Sequence, residues 1–487
     1  MLLSSAFSWI NKAVEPKRYD QLMVGIGHVF FLLLMVMSIV YYKERLLSFD
    51  AANYTFQLIY FQDFYIGHDR WISAPTQILP LLAIKAGASL KTILMTYSVS
   101  FILFYYLIFN AIVYLVRQPK VGLFLALSLC LSMRYKFFGP VGEVILSIGL
   151  LALLLAWANR DRSQFPRLPR WGSLVIGLAL MGLVVFAGHP FAAIAAFTIL
   201  GFDLIQQKRW KDRESWAMIA LGVLGYGRKY LDLQGDGSYE AGQMDNLQES
   251  LHMLTHFQTY YIFDRIRWFF ETEYAFPFVV FLAAVGWLFW KRKWLLGLFI
   301  IASHVLLLAA IMVAYAYLND PIYILLDGYL AHLGMIWSLP IIFVIVQQQR
   351  IWSLLLVVVL LGFGLDRIHH KRLFFQERMA ILQNMLDEYT TDENRKVLAH
   401  IDYFDWNKLW LPWAVSIETL MMSSLEDPDQ AATIYYKQHR KDEEDYLNNP
   451  HFFFSLHYDP FIFEMDSLPK HLFRLKEGYY QSIPLPK

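Results

Sequence analysis

The chain has 487 residues, of which 57% are hydrophobic and only 17% are charged, and its formal net charge is +1. Soluble domains carry about 25% charged residues, so much of this chain is expected to lie in lipid. The balanced charge excludes a strongly basic surface for nucleic acid. The single cysteine, Cys130, lies in an apolar run, which excludes an internal disulfide, a zinc ribbon and an iron–sulfur cluster.

The first apolar run, 21–42, follows a basic segment that contains Lys12, Lys17 and Arg18. The apolar part of a signal peptide is only about 7–15 residues long and ends at a small-residue cleavage site. This run is longer and ends in "YYKER". It is therefore predicted to be a retained transmembrane helix.

Further apolar runs predict about 11 spans in all, since a spanning helix needs about 20 apolar residues. They lie at 21–42, 91–116, 121–133, 141–158, 172–187, 190–206, 215–227, 276–290, 294–318, 329–347 and 351–366. Short loops rich in lysine and arginine collect on the cytoplasmic side. The basic loops 117–120, 159–170, 206–213, 291–293 and 347–350 all fall on the side of the basic N-terminus. The pattern predicts a cytoplasmic N-terminus and an outer C-terminus.

The segment 71–87 contains Pro75 and Pro80 and is shorter than a span. Counting it as a span would invert every later basic loop, so it is predicted to be interfacial or re-entrant. The expected fold is an all-α polytopic membrane protein with interfacial helices in its first outer loop. Its domains are a transmembrane domain at 1–366 and a small outer region at 367–487.

The outer region begins with apolar residues at helical spacing, which predict a helix over 369–389. The sequence "TTDE" at 390–393 has the form of a capping box and predicts a second short helix. The aromatic, proline-broken stretch 448–469 is expected to pack onto the membrane domain.

Asp50 follows the first span by a few residues and therefore lies at the outer membrane surface. A partly desolvated carboxylate there can act as a base on an acceptor hydroxyl or amine. The alternative is that Asp50 is only the N-cap of the amphipathic helix "DAANYTFQLIYF", which has Tyr54, Leu58 and Phe61 on one face.

More ionisable residues follow in the same loop: Asp63, His68, Asp69 and Arg70. His68 and Arg70 are candidates for neutralising a phosphate. His68 with an aspartate is a candidate for holding a divalent cation. A solvated loop is the alternative for each of them.

Later outer segments add further candidates. Glu143 lies at the outer mouth of the fourth predicted span, with Arg134 and Lys136 just before it, and His189 lies in a turn. Arg265 and Arg267 lie among aromatic residues, either as an anion clamp or as snorkelling arginines of an interfacial belt. Weaker candidates begin a late span: Asp327, Tyr329 and His332.

The sequence lacks the motifs of several other enzyme and transporter classes. The sequence has no GxxxxGK[ST] phosphate loop, no GxSxG elbow and no HExxH helix. Charged residues inside the predicted spans are few and there is no inverted repeat, so a proton- or sodium-coupled transporter is not indicated.

The layout resembles the GT-C superfamily of integral-membrane glycosyltransferases, especially the branch of protein O-mannosyltransferases and lipid A aminoarabinose transferases. The stretch "FDAANYTFQLIYFQDFYIGHDRWISAPTQILPLLAIKAG" looks like that family's first outer loop, with Asp50 at the catalytic carboxylate and Glu143 at a second acidic position. "AGHPFAAIAAF" is similar to its K-G-P turn, with His189 at the basic position. "DGYLAHLGMIWSLPIIFVI" is similar to a late R-Y-x-x-P-x-x-P helix without the arginine. The family's loop commonly has two adjacent acidic residues, whereas here Ala51 follows Asp50.

The resemblance implies a glycosyltransferase that moves a sugar from a polyprenyl-phosphate donor to an outer acceptor. Asp50 would be the base, and the donor phosphate would be bound by Arg70, His189, Arg265 and Arg267. Supporting acidic or metal candidates are Glu143, Asp63, His68 and Asp69. No cofactor is firmly implied, and a divalent cation is left open.

The expected location is a bacterial inner membrane, with the N-terminus cytoplasmic and the C-terminus periplasmic. The expected partners are membrane lipids, the lipid-linked donor and an acceptor of unknown identity, with no nucleic acid. Two alternatives remain open: a polyprenyl-pyrophosphate-dependent ligase or polymerase of surface glycans, and a non-catalytic scaffold or transporter of the same fold.

Overall fold

The computed structural model describes residues 14–67, 70–166, 169–233, 255–315, 323–400, 409, 412–436, 447, 449–454 and 462–483. The longer helices are α1 (Pro16–Val40), α2 (Tyr42–Leu46), α3 (Phe49–Phe61), α4 (Ala74–Lys85), α5 (Leu90–Asn110), α6 (Pro119–Ser132), α7 (Glu143–Asn159), α8 (Arg170–Ala187), α9 (Phe191–Gln206), α10 (Arg213–Leu233), α11 (Tyr261–Thr272), α12 (Ala275–Trp290), α13 (Trp294–Ala314), α14 (Tyr323–Tyr329), α15 (Ala331–Pro340), α16 (Ile351–Tyr389) and α17 (Val415–Ser423). The strands are β1 (Lys396–Ala399), β2 (Thr433–Tyr436), β3 (Phe452–Phe454), β4 (Ile462–Glu464) and β5 (Gln481–Ser482).

The protein is mostly helical and has the composition of an integral membrane protein. Six segments of the described chain are long and apolar enough to cross a membrane: Pro16–Val40, Leu90–Leu115, Arg170–Ala187, Trp294–Ala314, Leu325–Gln348 and Ile351–Tyr389. A seventh is possible if α11 and α12, which meet at 83°, form one broken span. Three predicted spans are apolar helices of only 10–17 residues, namely α6, α7 and α9. The predicted count of 11 is thus not confirmed.

Two local predictions need correction. The helix predicted over 369–389 is the second half of α16, which runs without a break from the last span to Tyr389. The second helix predicted from "TTDE" is absent, and the chain forms β1 instead, since Lys396–Ala399 pairs in parallel with both β2 and β5. The segment expected to be interfacial forms α4, a helix of 12 residues that is not among the candidate spans.

The chain packs into two compact units. The first unit comprises the described parts of 1–32, 105–136 and 142–367. Among the candidate spans, Leu325–Gln348 is the most buried, with 94% of its apolar window buried. α6 and α15 approach closely because Gly334 lacks a Cβ, which would lie 2.3 Å from Ser132 Oγ. Small residues commonly allow such close approach between membrane helices.

The second unit comprises the described parts of 33–104, 137–141 and 368–487. Its core joins α3 to the C-terminal region, with Phe56 in edge-on contact with Phe453 of β3 and Phe463 of β4. These two strands form an antiparallel pair in which Phe453 faces Phe463. Helix α17 packs on α3 as well. As a result residues 51–59 are all buried, so α3 is not the amphipathic interfacial helix that its sequence predicted.

Candidate functional site

Asp50 lies in the first turn of α3, within the second unit. Ser48 is extended and occupies the N-cap position, so Asp50 is not the cap that the sequence offered as an alternative. Phe49, between them, has a φ of 52°, a left-handed conformation that is strained for a large side chain. Asp50 is half-buried and starts a helix, where an acidic side chain is favourable.

One face of α3 is polar although it is buried. Asn53, Tyr54 and Gln57 follow Asp50 at spacings of three, four and seven, which puts all four on one side of the helix. Gln57 Nε2 donates to Asn53 Oδ1 at 3.3 Å. Gln57 Oε1 is buried and accepts no hydrogen bond from the described residues. Such an atom is suited to a polar group of a bound molecule.

The loop after α3 folds back onto this polar face. Tyr54 donates its hydroxyl to Gly67 O at 3.1 Å, and the Tyr54 and Tyr65 rings meet edge-on at 4.9 Å. A Cβ at Gly67 would lie 2.8 Å from the Tyr54 hydroxyl, so a larger residue here would displace that hydroxyl. Gln77 fixes the loop by accepting from Tyr65 N at 2.9 Å and donating to Tyr65 O at 2.8 Å.

Asp50 and Arg70 both affect the pKa of the Tyr54 and Tyr65 hydroxyls. Burial raises the pKa of Tyr54, while Arg70 opposes the rise and Asp50 adds to it. Burial likewise raises the pKa of Tyr65, which Asn53 and Arg70 lower and Asp50 raises. Both phenols therefore stay protonated near neutral pH and can donate hydrogen bonds. The second unit thus brings a carboxylate, a guanidinium and two neutral phenols to one polar centre.

Asp63, another predicted residue of this loop, does not join that centre. Asp63 is exposed, and its carboxylate accepts from the amide of Phe64 at 2.7 Å. His68 and Asp69 lie outside the described residues. Within the described ranges no three His, Cys, Asp or Glu side chains are grouped so as to hold a metal ion.

The remaining predicted residues belong to the first unit. Glu143 begins α7 and interacts electrostatically with Tyr226. His189 Nδ1 accepts from Phe191 N at 3.2 Å, and its ring lies 5.9 Å from that of Tyr329.

The two arginines of α11 differ in their surroundings. Arg265 is half-buried, and its guanidinium stacks 4.4 Å from the Tyr261 ring. Arg267 is exposed and pairs with Glu271 at 2.7 Å, one turn along the same helix. Such an exposed pair is weak, so the role of Arg267 as a phosphate ligand stays a prediction.

The first unit holds a buried ionic cluster that the sequence only partly indicated. Arg134 pairs with Asp327 and lies 3.5 Å from Glu273 Oε2. Arg367 donates to Glu273 O at 2.6 Å, and both guanidiniums stack on Tyr274. The sequence places Arg134 just before Glu143 on the outer side and offers Asp327 as a weaker candidate. It does not single out Arg367 or Glu273, because neither has a local pattern that separates it from a residue at a helix end.

A second buried pair supports the start of α3. Glu418 and Arg378 are both fully buried, and Arg378 Nη2 donates to Glu418 Oε2 at 2.7 Å. The other oxygen of Glu418 accepts from Phe49 N at 2.5 Å. A carboxylate from the C-terminal region thus accepts a hydrogen bond from the backbone N–H of Phe49, the strained residue next to Asp50. The one sequence feature that marks Glu418 is that it is the single charged residue in the apolar helix "VSIETLMMS".

Comparison of the chain with protein-family models, with curated proteins and with solved structures finds no match.

Proposed function

We propose that the chain is a membrane glycosyltransferase that moves a sugar from a polyprenyl-phosphate donor to an acceptor, with Asp50 as the general base. The proposal is supported mainly by one observation. Asp50 shares a largely buried polar centre with Arg70, Tyr54 and Tyr65. A carboxylate and a guanidinium that both act on Tyr54 and Tyr65 match the two needs of this reaction, which are to remove a proton from the acceptor and to stabilise a leaving phosphate.

The proposed step balances as a single displacement. The acceptor O–H or N–H gives its proton to the Asp50 carboxylate. The acceptor atom forms a bond to the anomeric carbon while the bond from that carbon to the phosphate oxygen breaks. The polyprenyl phosphate leaves with the electron pair, and Arg70 stabilises its added charge. The Tyr54 and Tyr65 hydroxyls are donors suited to the sugar or the phosphate.

Arg70 is the phosphate ligand that this proposal uses, because it shares the second unit with Asp50. His189, Arg265 and Arg267 remain predicted phosphate ligands, and the proposed step does not use them. Gln57 Oε1 is a hydrogen-bond acceptor for a donor-sugar hydroxyl, since it has no partner among the described residues. A metal-assisted route is left open by the residues of the first loop.

The test uses full-length protein in lipid nanodiscs with a panel of polyprenyl-phosphate sugars that carry mannose, glucose, galactose or aminoarabinose. Release of free polyprenyl phosphate is followed by mass spectrometry, which does not require the acceptor to be known in advance. A membrane extract supplies candidate acceptors. Asp50→Asn is expected to lower the release about 10²- to 10⁴-fold, the usual contribution of a general base.

The matched control is Asp466→Asn, which removes an exposed carboxylate from the same unit and should leave release unchanged. Arg70→Lys should lose less activity than Arg70→Met, because a lysine keeps the charge but not the paired donors. Wild-type release by Asp50→Asn would overturn the assignment of the base. Absence of release from every donor with the wild-type protein would favour the scaffold or transporter alternative.

A further inference from the structure

A basic cleft of about 750 Å³ lies in the first unit, far along the chain from the residues of the proposed reaction. It is formed where α8 and α10 begin and where the chain leaves α7. Its charged lining side chains are Arg160, Arg162, Arg170, Lys211, Arg213, Asp212 and Glu214. Five cations and two anions leave an excess of three positive charges.

Both carboxylates of the cleft are already occupied. Glu214 is buried and accepts from Arg160 at 2.8 Å, from Arg162 at 3.0 Å and from Ser173 Oγ at 3.0 Å. Asp212 accepts from Arg162 at 2.7 Å. These bonds fix Arg160 and Arg162 and neutralise them, so they form the wall of the cleft and do not supply its excess charge.

The excess charge belongs to Arg170, Lys211 and Arg213. All three are exposed and have no acidic partner within the part of the chain that the structure describes. Arg170 is the first residue of α8 and Arg213 the first of α10. The start of a helix carries partial positive charge and free N–H groups, which adds to the attraction for an anion. The cleft is therefore suited to a phosphate group.

The surroundings indicate where that phosphate comes from. α8 is a candidate span, and its second residue, Trp171, is 72% exposed and lines the cleft. Trp216, in the first turn of α10, is exposed as well and donates to Trp210 O at 2.8 Å. Tryptophans at the end of a span mark the boundary between lipid and water. One turn further along α8, the exposed Val175 continues the surface with apolar side chains.

We propose that this cleft binds the headgroup phosphate of an anionic membrane phospholipid, with the acyl chains against the apolar side of α8. Arg170, Lys211 and Arg213 contact the phosphate, and Trp171 lies at the level of the glycerol backbone. The proposal does not depend on the glycosyltransferase function. It assigns a role to basic loop residues that the charge rule treats only as determinants of topology.

The test is native mass spectrometry of detergent-purified full-length protein titrated with phosphatidylglycerol, cardiolipin or phosphatidylcholine. The Arg170→Gln, Lys211→Gln, Arg213→Gln triple variant is compared with the wild type. Each removed cation near a membrane surface weakens anionic lipid binding by a factor of about 5, so the triple variant should lose about 100-fold. Binding of phosphatidylcholine should be weak and unchanged.

The matched control is the triple variant Lys291→Gln, Arg292→Gln, Lys293→Gln, which removes three exposed cations from another loop of the same unit. It should stay within about twofold of the wild type. An equal loss in both triple variants would mean general surface attraction and would overturn the cleft assignment. Arg213→Gln alone, with an expected loss of about fivefold, provides the same test if the triple variant does not fold.

A parallel arm replaces the lipid with inorganic phosphate and follows the thermal stability of the protein. Stabilisation by anionic lipid at micromolar concentration, with none by millimolar phosphate, supports the lipid. Equal stabilisation by free phosphate that the triple variant abolishes would show a site for a soluble phosphate, and the lipid assignment would be wrong.

Discussion

Removing the charge of Glu418 tests how the start of α3 is held. Glu418 and Arg378 are both 0% exposed, and Arg378 Nη1 also donates to Leu409 O. Glu418→Gln keeps the shape of the side chain but leaves Arg378 buried without a counter-ion. Breaking a buried pair in this way costs about 3–5 kcal/mol. The strained Phe49, whose amide bonds to the lost carboxylate, adds to the cost.

The measurement is amide hydrogen exchange of α3 by mass spectrometry on the full-length protein, since exchange reports the free energy of local opening. A loss of at least about 3 kcal/mol should raise exchange at residues 51–59 by about a hundredfold. The double variant Glu418→Gln, Arg378→Met removes both charges but keeps an acceptor oxygen for Phe49 N, so it should recover most of the protection.

The control is the exposed pair of Arg474 and Asp429 in the same unit, which lies at 3.0 Å. Asp429→Asn should change the free energy of local opening by less than about 1 kcal/mol, because exposed ion pairs contribute little to stability. If α3 exchanged at the wild-type rate in Glu418→Gln, the pair would not hold the start of the helix. If the double variant were no better than the single one, the buried charge would not be the source of the loss.

Three further outcomes are expected. Burial lowers the pKa of Lys396 to about 8, so between pH 8 and pH 10 the unfolded chain binds more protons than the folded chain. The melting temperature should therefore rise from pH 8 to pH 10, and Lys396→Met should abolish the rise. Gly364→Ala should lower the free energy of unfolding by about 1–3 kcal/mol, because its Cβ would clash with the sulfur of Cys130. Gly362→Ala, in the same helix, meets nothing within 4 Å and should be neutral or stabilising by up to about 1 kcal/mol. Arg134→Met should destabilise the first unit by about 3–5 kcal/mol, with recovery when Asp327→Leu is added.

Local pattern was enough to predict most helices. Three of the apolar runs are largely helical in the structure, because helical periodicity and hydropathy act within a few turns: α1 covers 21–40 of the run 21–42, α13 covers 294–314 of the run 294–318, and α16 covers all of 351–366. The interruption at 71–87 was also recognised from its prolines and short length. The sequence does not show that α16 continues without a break to Tyr389. The hydropathy of the chain falls where it would leave the lipid, whereas the helical hydrogen bonds continue beyond that point.

Long-range packing explains the wrong predictions. "TTDE" has the local form of a helix start, yet Lys396–Ala399 gains its partners from β2 and β5, which lie far along the chain. The sequence predicts α3 to be an amphipathic helix with Tyr54, Leu58 and Phe61 on one face, whereas the C-terminal strands pack against it at Phe56.

The candidate site was predicted in part. Asp50 and Arg70 were selected by residue type and nearness in sequence. Gln57 was not selected, because an uncharged side chain in a helix does not indicate a site until its surroundings are known. Whether Asp50 acts as a base stays a prediction.

The link between Glu418 and Phe49 has a consequence for synthesis of the protein. The two residues are separated by 369 positions. At about 5–20 residues per second, the ribosome adds Glu418 on the order of tens of seconds after Phe49. Throughout that interval the newly inserted chain has every residue of its polar centre but not the carboxylate that fixes the start of α3. A chain truncated before Glu418 should therefore lack the hydrogen bond that fixes the start of α3 next to Asp50.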